Sequence, residues 1–326
     1  MNAARMKKLA GLAAFQAERA AAALDRAWRR RRLLGADAAA LEAEHWGGAR
    51  GDLLTWQDLP LIRAHINRRV SGDEAVNWLE SFARDFGAGG FERALNLGCG
   101  AGDLEAHALG IGLVRRFRSL DLSAGALERA RARLPERVEF ELMDVNRMRL
   151  DPGSFDLVFA ASSLHHFTAL PEVLDQVRLG LRPGGYFVFD EYVGPSLFQW
   201  RPRQLEIVNE ILAALPRRLR RDRRGLGEKR RVYRRPLDER SRDSPFEAAR
   251  SEEILPLVAE RFEIARRRDY GGAILHPLLD GIAGNFREEG DDAALLARLC
   301  AVESALEAQG EIGSDFTSVV ARKAEA

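Results

Sequence analysis

A glycine-rich loop follows an apolar segment in the first third of the chain. The loop reads Gly98-Cys99-Gly100-Ala101-Gly102, and a predicted helix begins at Asp103. Glycines let the backbone turn sharply and let a ligand approach closely, while the N–H groups at a helix start attract an anion. The dinucleotide pattern GxGxxG would place its third glycine at position 103, where this chain has an aspartate. The loop therefore predicts a ligand-binding turn that differs from the nicotinamide type.

Two acidic side chains stand at the ends of the next two predicted strands. Asp121 lies 21 residues after Gly100, a position from which a carboxylate can accept both hydroxyls of a ribose. Asp144 ends the third strand and could accept a hydrogen bond from an adenine amino group, with Met143 and Val145 beside the ring. Features at three successive strand ends are much more specific than a glycine loop alone.

Candidate catalytic side chains follow the fourth and fifth strands. His165 and His166 come directly after the fourth strand, and an imidazole can deprotonate an acceptor because it titrates near neutrality. Asp190 and Glu191 end the fifth strand, where alternation turns one carboxylate toward a pocket. A metal site built on carboxylates at the end of the fourth strand would need them where residues 161–163 read Ala-Ser-Ser. We therefore predict no metal.

The elements that position these residues alternate regularly between residues 91 and 193. Five short apolar runs separated by helical patterns predict a parallel sheet with right-handed crossovers, and ligands bind at the carboxyl ends of such strands. A predicted helix over Asp73–Phe86 precedes this core. Two interruptions, 195–245 and 271–314, come before a last strand around Phe316–Ala321.

Residues 91–193 resemble a class I S-adenosylmethionine-dependent methyltransferase of the small-molecule branch. GCGAG resembles the first motif of that family, SLDLS its ribose-binding strand end and MDVNRM its adenine-contacting segment. FDLVFAASSLHHF resembles the fourth strand, and LRPGGYFVFDE resembles the turn and fifth strand. Asn96 departs from the pattern, because many members have an acid there that helps to hold the methionine end of the cofactor. An asparagine can still donate and accept at that place.

The resemblance implies an α/β fold with a Rossmann-like seven-stranded sheet, mostly parallel with the last strand antiparallel. It also implies S-adenosyl-L-methionine as cofactor, and methyl transfer by in-line displacement to an oxygen or nitrogen of a small-molecule, glycan or lipid-type acceptor. The predicted catalytic residues are His165, His166 and Glu191. The predicted cofactor-binding residues are Asn96, Gly98, Cys99, Gly100, Gly102, Asp121, Leu122, Asp144, Val145 and Ala160.

The chain is longer than such a core requires. We expect residues 1–90 to form a helical N-terminal extension that covers the pocket and 91–194 to form the cofactor-binding core. Residues 195–245 are expected to form an Arg-rich inserted lid, and 246–326 to complete the core around the helical insertion 271–314. These additions, rather than a second independent domain, are expected to select the acceptor.

Composition excludes some classes of protein. The 326 residues include 50 Lys plus Arg and 49 Asp plus Glu, and no apolar run approaches the ~18 residues of a membrane span. Two cysteines, Cys99 and Cys300, cannot build a disulfide framework, and the N-terminus lacks a secretory pattern. We therefore expect a cytoplasmic protein. Charge is segregated: residues 217–235 carry eleven basic and two acidic side chains, and residues 271–314 carry eight acidic and two basic ones.

Two alternatives stay open at this point. Arg217–Arg235 could neutralise phosphates, which would suit an RNA methyltransferase. Against this, the fourth strand ends in ASSLHH and lacks the NPPY-like sequence associated with exocyclic-amine methylation. The second alternative is a non-catalytic protein that binds the cofactor as a regulatory ligand, for which Asn96 is the supporting feature. The oligomeric state is not readable from the sequence.

Overall fold

The computed structural model describes residues 38–47, 53–134, 137–225, 227–234 and 244–325. Of the expected helical extension over residues 1–90, residues 1–37 and 48–52 lie outside these ranges. Residues 235–243 of the Arg-rich region lie outside them as well.

A seven-stranded sheet forms the centre of the molecule, in the order β3-β2-β1-β4-β5-β7-β6. Neighbouring strands from β3 to β5 are parallel, whereas β7 runs antiparallel to both β5 and β6. The predicted sheet, with its last strand antiparallel, is confirmed. The strands are β1 (Phe91–Leu97), β2 (Val114–Asp121), β3 (Val138–Leu142), β4 (Phe155–Ala161), β5 (Leu181–Tyr192), β6 (Glu263–Gly271) and β7 (Phe316–Arg322).

Helices cover both faces of the sheet and extend beyond one edge. Within the described residues, no helix is both long and apolar enough to cross a membrane. The helices are α1 (Ala38–Gly47), α2 (Pro60–Ser71), α3 (Trp78–Phe86), α4 (Asp103–Gly110), α5 (Ala124–Arg133), α6 (Leu170–Gly180), α7 (Pro202–Ala214), α8 (Ile254–Ala259), α9 (Leu275–Leu279) and α10 (Gly290–Ala308).

The buried apolar side chains fall into three clusters. One cluster lies between the sheet and α6 and α8, and a second lies on the opposite face under α3 and α4. The third joins α2, α7, α9 and α10 around Trp56 and Phe316, next to the edge that β6 and β7 form. Helices α2, α7, α9 and α10 therefore bury their apolar side chains in one shared core beside the sheet.

The segment before the sheet differs from the helix predicted over Asp73–Phe86. That helix begins only at Trp78, because residues 72–77 form a turn between α2 and α3 that starts at Gly72, which adopts a left-handed φ of +85°. The next helix starts after Asn77, whose Oδ1 accepts from the N–H groups of Leu79 and Glu80 at 2.9 and 3.1 Å. This cap satisfies N–H groups that a continuous helix would have paired internally, and it sets the start of α3.

The basic segment after α7 pairs with acidic residues of the same chain. Arg218 forms a two-pronged ion pair with Asp292 at the start of α10, and Arg224 pairs with Asp280. Glu228 accepts from Arg217 at 3.2 Å. Two of these ion pairs join the basic segment 217–235 to the acidic region 271–314. Part of the opposite charge of the two regions is therefore paired within the fold.

Candidate active site

The glycine loop joins β1 to α4 at the carboxyl edge of the sheet. Gly98, Gly100 and Gly102 have φ values of +73°, +55° and +81°, a region that side chains other than glycine rarely adopt. A Cβ built on Gly98 would lie 2.7 Å from the Cβ of Ser163. A Cβ on Gly100 would have no described atom within 4 Å. Close packing therefore requires glycine at position 98, whereas the space beside position 100 is open.

Asp121 at the end of β2 is tied directly to this loop. Its Oδ2 accepts from the N–H of Gly100 at 2.8 Å, and its Oδ1 accepts from the N–H of Ser123 at 2.8 Å. Burial raises the pKa of Asp121, although both backbone N–H groups oppose that rise. Each carboxylate oxygen keeps acceptor capacity beyond these bonds. Leu122, also half-buried, follows at the same edge.

Asp144 begins a short 3-10 turn after β3. Its Oδ1 accepts from the N–H of Asn146 at 3.0 Å, and its Oδ2 lies 3.6 Å from Arg147 Nε. Val145 is buried beside it. Ala160 lies fully buried near the end of β4. The carboxyl ends of β1, β2, β3 and β4 thus place the predicted cofactor-binding residues along one edge of the sheet.

Two residues of the first motif that are predicted to bind the cofactor, Asn96 and Cys99, have buried side chains. Asn96 is 2% exposed, and its Nδ2 donates to Glu105 Oε1 at 2.8 Å, which ties β1 to α4. Its Oδ1 is buried and has no hydrogen-bond partner among the described residues. Cys99 is buried as well, and burial raises the pKa of its thiol, which keeps the sulfur uncharged.

His165 lies between two carboxylates. Its Nδ1 contacts Glu191 Oε1 in a short hydrogen bond, and its Nε2 lies 3.4 Å from Glu247 Oε1. Burial by itself opposes the charged form, yet the two carboxylates raise the pKa of His165 to about 10. Burial likewise opposes the ionisation of Glu247, but the histidines hold its pKa at about 2. Both ring nitrogens of His165 therefore face carboxylates.

Glu191 holds the loop that carries the histidines. It is fully buried, and its Oε2 accepts from the N–H groups of Ser163 and Leu164 at 2.8 and 2.7 Å. Its Oε1 accepts from its neighbour Tyr192 at 2.7 Å as well as contacting His165. The Glu191 carboxylate thus fixes the position of both histidines from beneath the loop.

His166 contacts three residues that no sequence motif indicates. Its Nδ1 lies 3.0 Å from Glu42 Oε1 in α1 and 3.3 Å from the Ser244 hydroxyl, while its Nε2 lies 3.9 Å from Glu247 Oε2. Trp46 donates to Glu42 at 2.9 Å. Glu42, Ser244 and Glu247 belong to no motif, and they reach the histidines only through tertiary folding.

Helix α1 is docked on α5 near the ends of β2 and β4. Arg129 in α5 donates to the carbonyls of Gly47 and Trp46 at 2.8 and 3.0 Å. A Cβ on Gly125 would lie 2.8 Å from the Gly47 carbonyl oxygen, so the two helices touch backbone to backbone. This contact carries Glu42 to the edge of the sheet where Asp121 and the histidines lie.

One family of known proteins matches the part of the chain that forms β1 to β5. A family described as methyltransferase domain matches residues 95–189. The chain is 32% identical over 155 residues to highly reducing polyketide synthase 2 of Gibberella zeae, a match that covers 42% of this chain and 6% of that protein. It is 31% identical over 107 residues to 27-O-demethylrifamycin SV methyltransferase of Amycolatopsis mediterranei, covering 31% of this chain and 39% of that protein.

A solved structure is similar to most of the chain at low sequence identity. The S-adenosylmethionine-dependent methyltransferase from Mesorhizobium loti is 23% identical, with a TM-score of 0.44 over 75% of this chain and 96% of that one. The chain spans well under half the length of both relatives named above. Residues 95–189 are a methyltransferase domain of the class I S-adenosylmethionine-dependent family, and S-adenosylmethionine is the cofactor of that family.

Proposed function

We propose that this chain transfers a methyl group from S-adenosylmethionine to an oxygen or nitrogen of a small-molecule, glycan or lipid-type acceptor. The bond between the Gly100 N–H and Asp121 is the observation that carries the proposal. It holds a glycine loop and a ribose-type carboxylate in one arrangement at the carboxyl edge of a parallel sheet, which is where such folds bind nucleotides. The open space beside Gly100 and the spare acceptor capacity of Asp121 fit this cofactor.

Each strand end would contact a different part of the cofactor. The loop Gly98–Gly102 would approach the methionine part, Asp121 and Leu122 the ribose, and Asp144 and Val145 the adenine. Bound S-adenosylmethionine supplies an electrophilic methyl group. Three further assignments follow from position, with Cys99 and Ala160 lining the site by packing and Asn96 acting through its bond to Glu105 in α4.

The chain contributes alignment and shielding on the acceptor side. Methyl transfer is an in-line displacement, which a protein accelerates by orienting the acceptor and excluding water. Helix α1 and residues 244–249 lie over the loop that carries His165 and His166. We assign the two histidines to the polar end of the acceptor pocket and Glu191 to positioning them.

A small acceptor is favoured over RNA by the contacts of the basic segment. Arg217, Arg218 and Arg224 each pair with a carboxylate of the same chain, which leaves less charge for phosphates. The relative from Amycolatopsis mediterranei is named for methylation of 27-O-demethylrifamycin SV, a small molecule. Both observations support an acceptor of that class.

Turnover with methyl-labelled S-adenosylmethionine tests the proposal. A panel of phenols, hydroxylated sugars and amines is incubated with the full chain, and formation of S-adenosylhomocysteine and labelled product is followed. We expect turnover with at least one acceptor class, and loss of it in Asp121→Ala. Asp175→Ala, which removes an exposed aspartate on α6, serves as the matched control and should keep wild-type turnover. Equal turnover in the two variants would contradict the assignment of Asp121.

A further inference from the structure

Three potential metal-binding side chains converge beside the proposed acceptor pocket. One donor atom from each of His165, His166 and Glu247 lies within 4.8 Å of the other two. His165 Nε2 and His166 Nε2 lie 3.4 and 3.9 Å from the Glu247 carboxylate oxygens. Donor atoms bound to one tetrahedral ion at bond lengths of about 2.1 Å are about 3.4 Å apart. The two histidine–carboxylate distances are thus already close to the separation that an ion requires, and all three donor atoms lie within 4.8 Å of one another.

The other ring nitrogen of each histidine is held from behind. Glu191 contacts His165 at Nδ1, and Glu42 contacts His166 at Nδ1, so that both Nε2 atoms turn toward Glu247. A histidine that binds a metal through one ring nitrogen usually donates the other N–H to a carboxylate or carbonyl, which fixes its tautomer and orientation. The cluster has two such carboxylates, one from β5 and one from α1. Their positions support metal binding independently of the distances between the three donor atoms.

The charge balance of the cluster also calls for a cation. Glu42 and Glu191 are buried and Glu247 is largely so, yet among the described residues their ion pairs are to histidines alone. The three carboxylates bring negative charge together in a region of low solvent access, and the proton on His165 offsets only part of it. Such charge must be paired, either by protons on the histidines or by a bound ion.

We propose that His165, His166 and Glu247 bind a divalent first-row transition-metal ion such as Zn²⁺. Two imidazoles and one carboxylate suit this class of metal and leave coordination positions open. The ion would replace the proton on His165 Nε2, which passes to solvent. This differs from the expectation of no metal, which considered carboxylates at the end of β4. The carboxylate ligand comes instead from the segment that follows the Arg-rich region.

The site narrows the class of acceptor, and this step rests on the proposed function. An open position on the ion would take an acceptor oxygen and lower the pKa of its hydroxyl, so that the hydroxyl proton leaves to solvent before methyl transfer. The ion would therefore favour hydroxyl-bearing acceptors over amines.

Metal binding is measured on the full chain, independently of turnover. Protein stripped with a chelator is titrated with Zn²⁺ in a calorimeter, and Co²⁺ is added separately to record its visible absorption. We expect one ion per chain. Glu247→Gln and His166→Ala should each weaken Zn²⁺ binding at least tenfold, and Glu42→Gln should weaken it about 10- to 100-fold, the usual effect of losing a carboxylate behind a ligand. His107→Ala, which removes a surface histidine paired with Glu80, should leave Zn²⁺ binding unchanged.

Each variant is also tested for S-adenosylhomocysteine binding and thermal unfolding, which identifies a variant that fails to fold. Absence of saturable Zn²⁺ and Co²⁺ binding in a wild-type chain that binds S-adenosylhomocysteine would overturn the metal site and leave a proton-sharing cluster. Unchanged Zn²⁺ affinity in folded Glu247→Gln and Glu42→Gln variants would overturn it too. Zn²⁺ binding without S-adenosylhomocysteine binding would instead refute the proposed function and leave the site standing.

Discussion

Gly98 and Gly100 offer a matched pair for testing the geometry of the cofactor loop. Both adopt left-handed backbone angles, with φ of +73° and +55°, so alanine carries a similar conformational penalty at either position. Only at Gly98 would the new Cβ meet a neighbour, the Cβ of Ser163 at 2.7 Å. Ser163 cannot yield easily, because its hydroxyl donates to the Leu97 carbonyl at 2.7 Å and its N–H donates to Glu191.

The two substitutions should differ by the cost of that contact. Alanine in the left-handed region costs about 1–2 kcal/mol, and overpacking a buried site adds about 1–3 kcal/mol. We expect Gly100→Ala to lower the free energy of unfolding by about 1–2 kcal/mol and Gly98→Ala by about 2–5 kcal/mol. For a domain of this size 1 kcal/mol corresponds to roughly 2–4 °C, so their unfolding midpoints should differ by about 2–12 °C.

Thermal unfolding of both variants, alone and combined with Ser163→Gly, measures this difference. Ser163→Gly removes the Cβ that Gly98→Ala would meet, so the penalty of Gly98→Ala should shrink by about 1–3 kcal/mol in that background. The penalty of Gly100→Ala should stay the same. Equal losses of stability for the two alanine variants, or no coupling between Gly98→Ala and Ser163→Gly, would refute this account of the loop.

Three further predictions concern the cofactor edge, helix α1 and the C-terminal helices. In Asp121→Asn one oxygen remains to accept from the two backbone N–H groups that now donate to the carboxylate. The affinity for S-adenosylhomocysteine, measured by calorimetry, should therefore fall about 10- to 100-fold. An unchanged affinity would contradict the role of Asp121. Gly125→Val should force α1 off α5 at Gly47, seen as faster amide exchange across residues 38–47, whereas unchanged protection would show that the helices are not docked as described. Burial raises the pKa of Glu303 to about 7. Between about pH 4.5 and 7 the folded state therefore binds more protons than the unfolded state, and the free energy of unfolding falls as the pH rises through this range. The unfolding midpoint of the wild type should therefore drop relative to Glu303→Gln from pH 5 to 8, and a constant difference would refute this.

The sheet and its cofactor edge are largely predictable from the sequence because their signals are local. Apolar runs of strand length alternate with helical patterns, and polar or glycine residues end each run. The helical patterns of residues 124–134 and 203–215, for example, predict the two helices that the structure has as α5 and α7, to within a residue at each end. The antiparallel last strand followed from the resemblance to the family rather than from any local pattern.

One local signal was overlooked in the segment before the sheet. Asn77 is followed three residues later by Glu80, whose carboxylate accepts from the Asn77 N–H at 2.9 Å. This spacing is that of a capping box, which marks a helix start. Applied to this segment, the rule would have placed the beginning of α3 at Trp78.

The surroundings of the histidines could not be predicted in the same way. Glu42 and Ser244 form a hydrogen bond across 202 positions of sequence, and neither lies in a pattern that suggests a site. The partner of Asn96 could not be predicted either. The strand pattern indicates that its side chain is buried, but it does not indicate the hydrogen bond to Glu105. Such partners depend on how α1 and α4 dock, which is decided by packing over the whole core.

Equilibrium binding of S-adenosylmethionine and S-adenosylhomocysteine tests the central claim most directly. Calorimetric titration of the full chain should show saturable binding of both at one site per chain, with at least a tenfold loss of affinity in Asp121→Ala and none in Asp175→Ala. Absence of binding by the folded wild type, or full affinity in Asp121→Ala, would contradict the account.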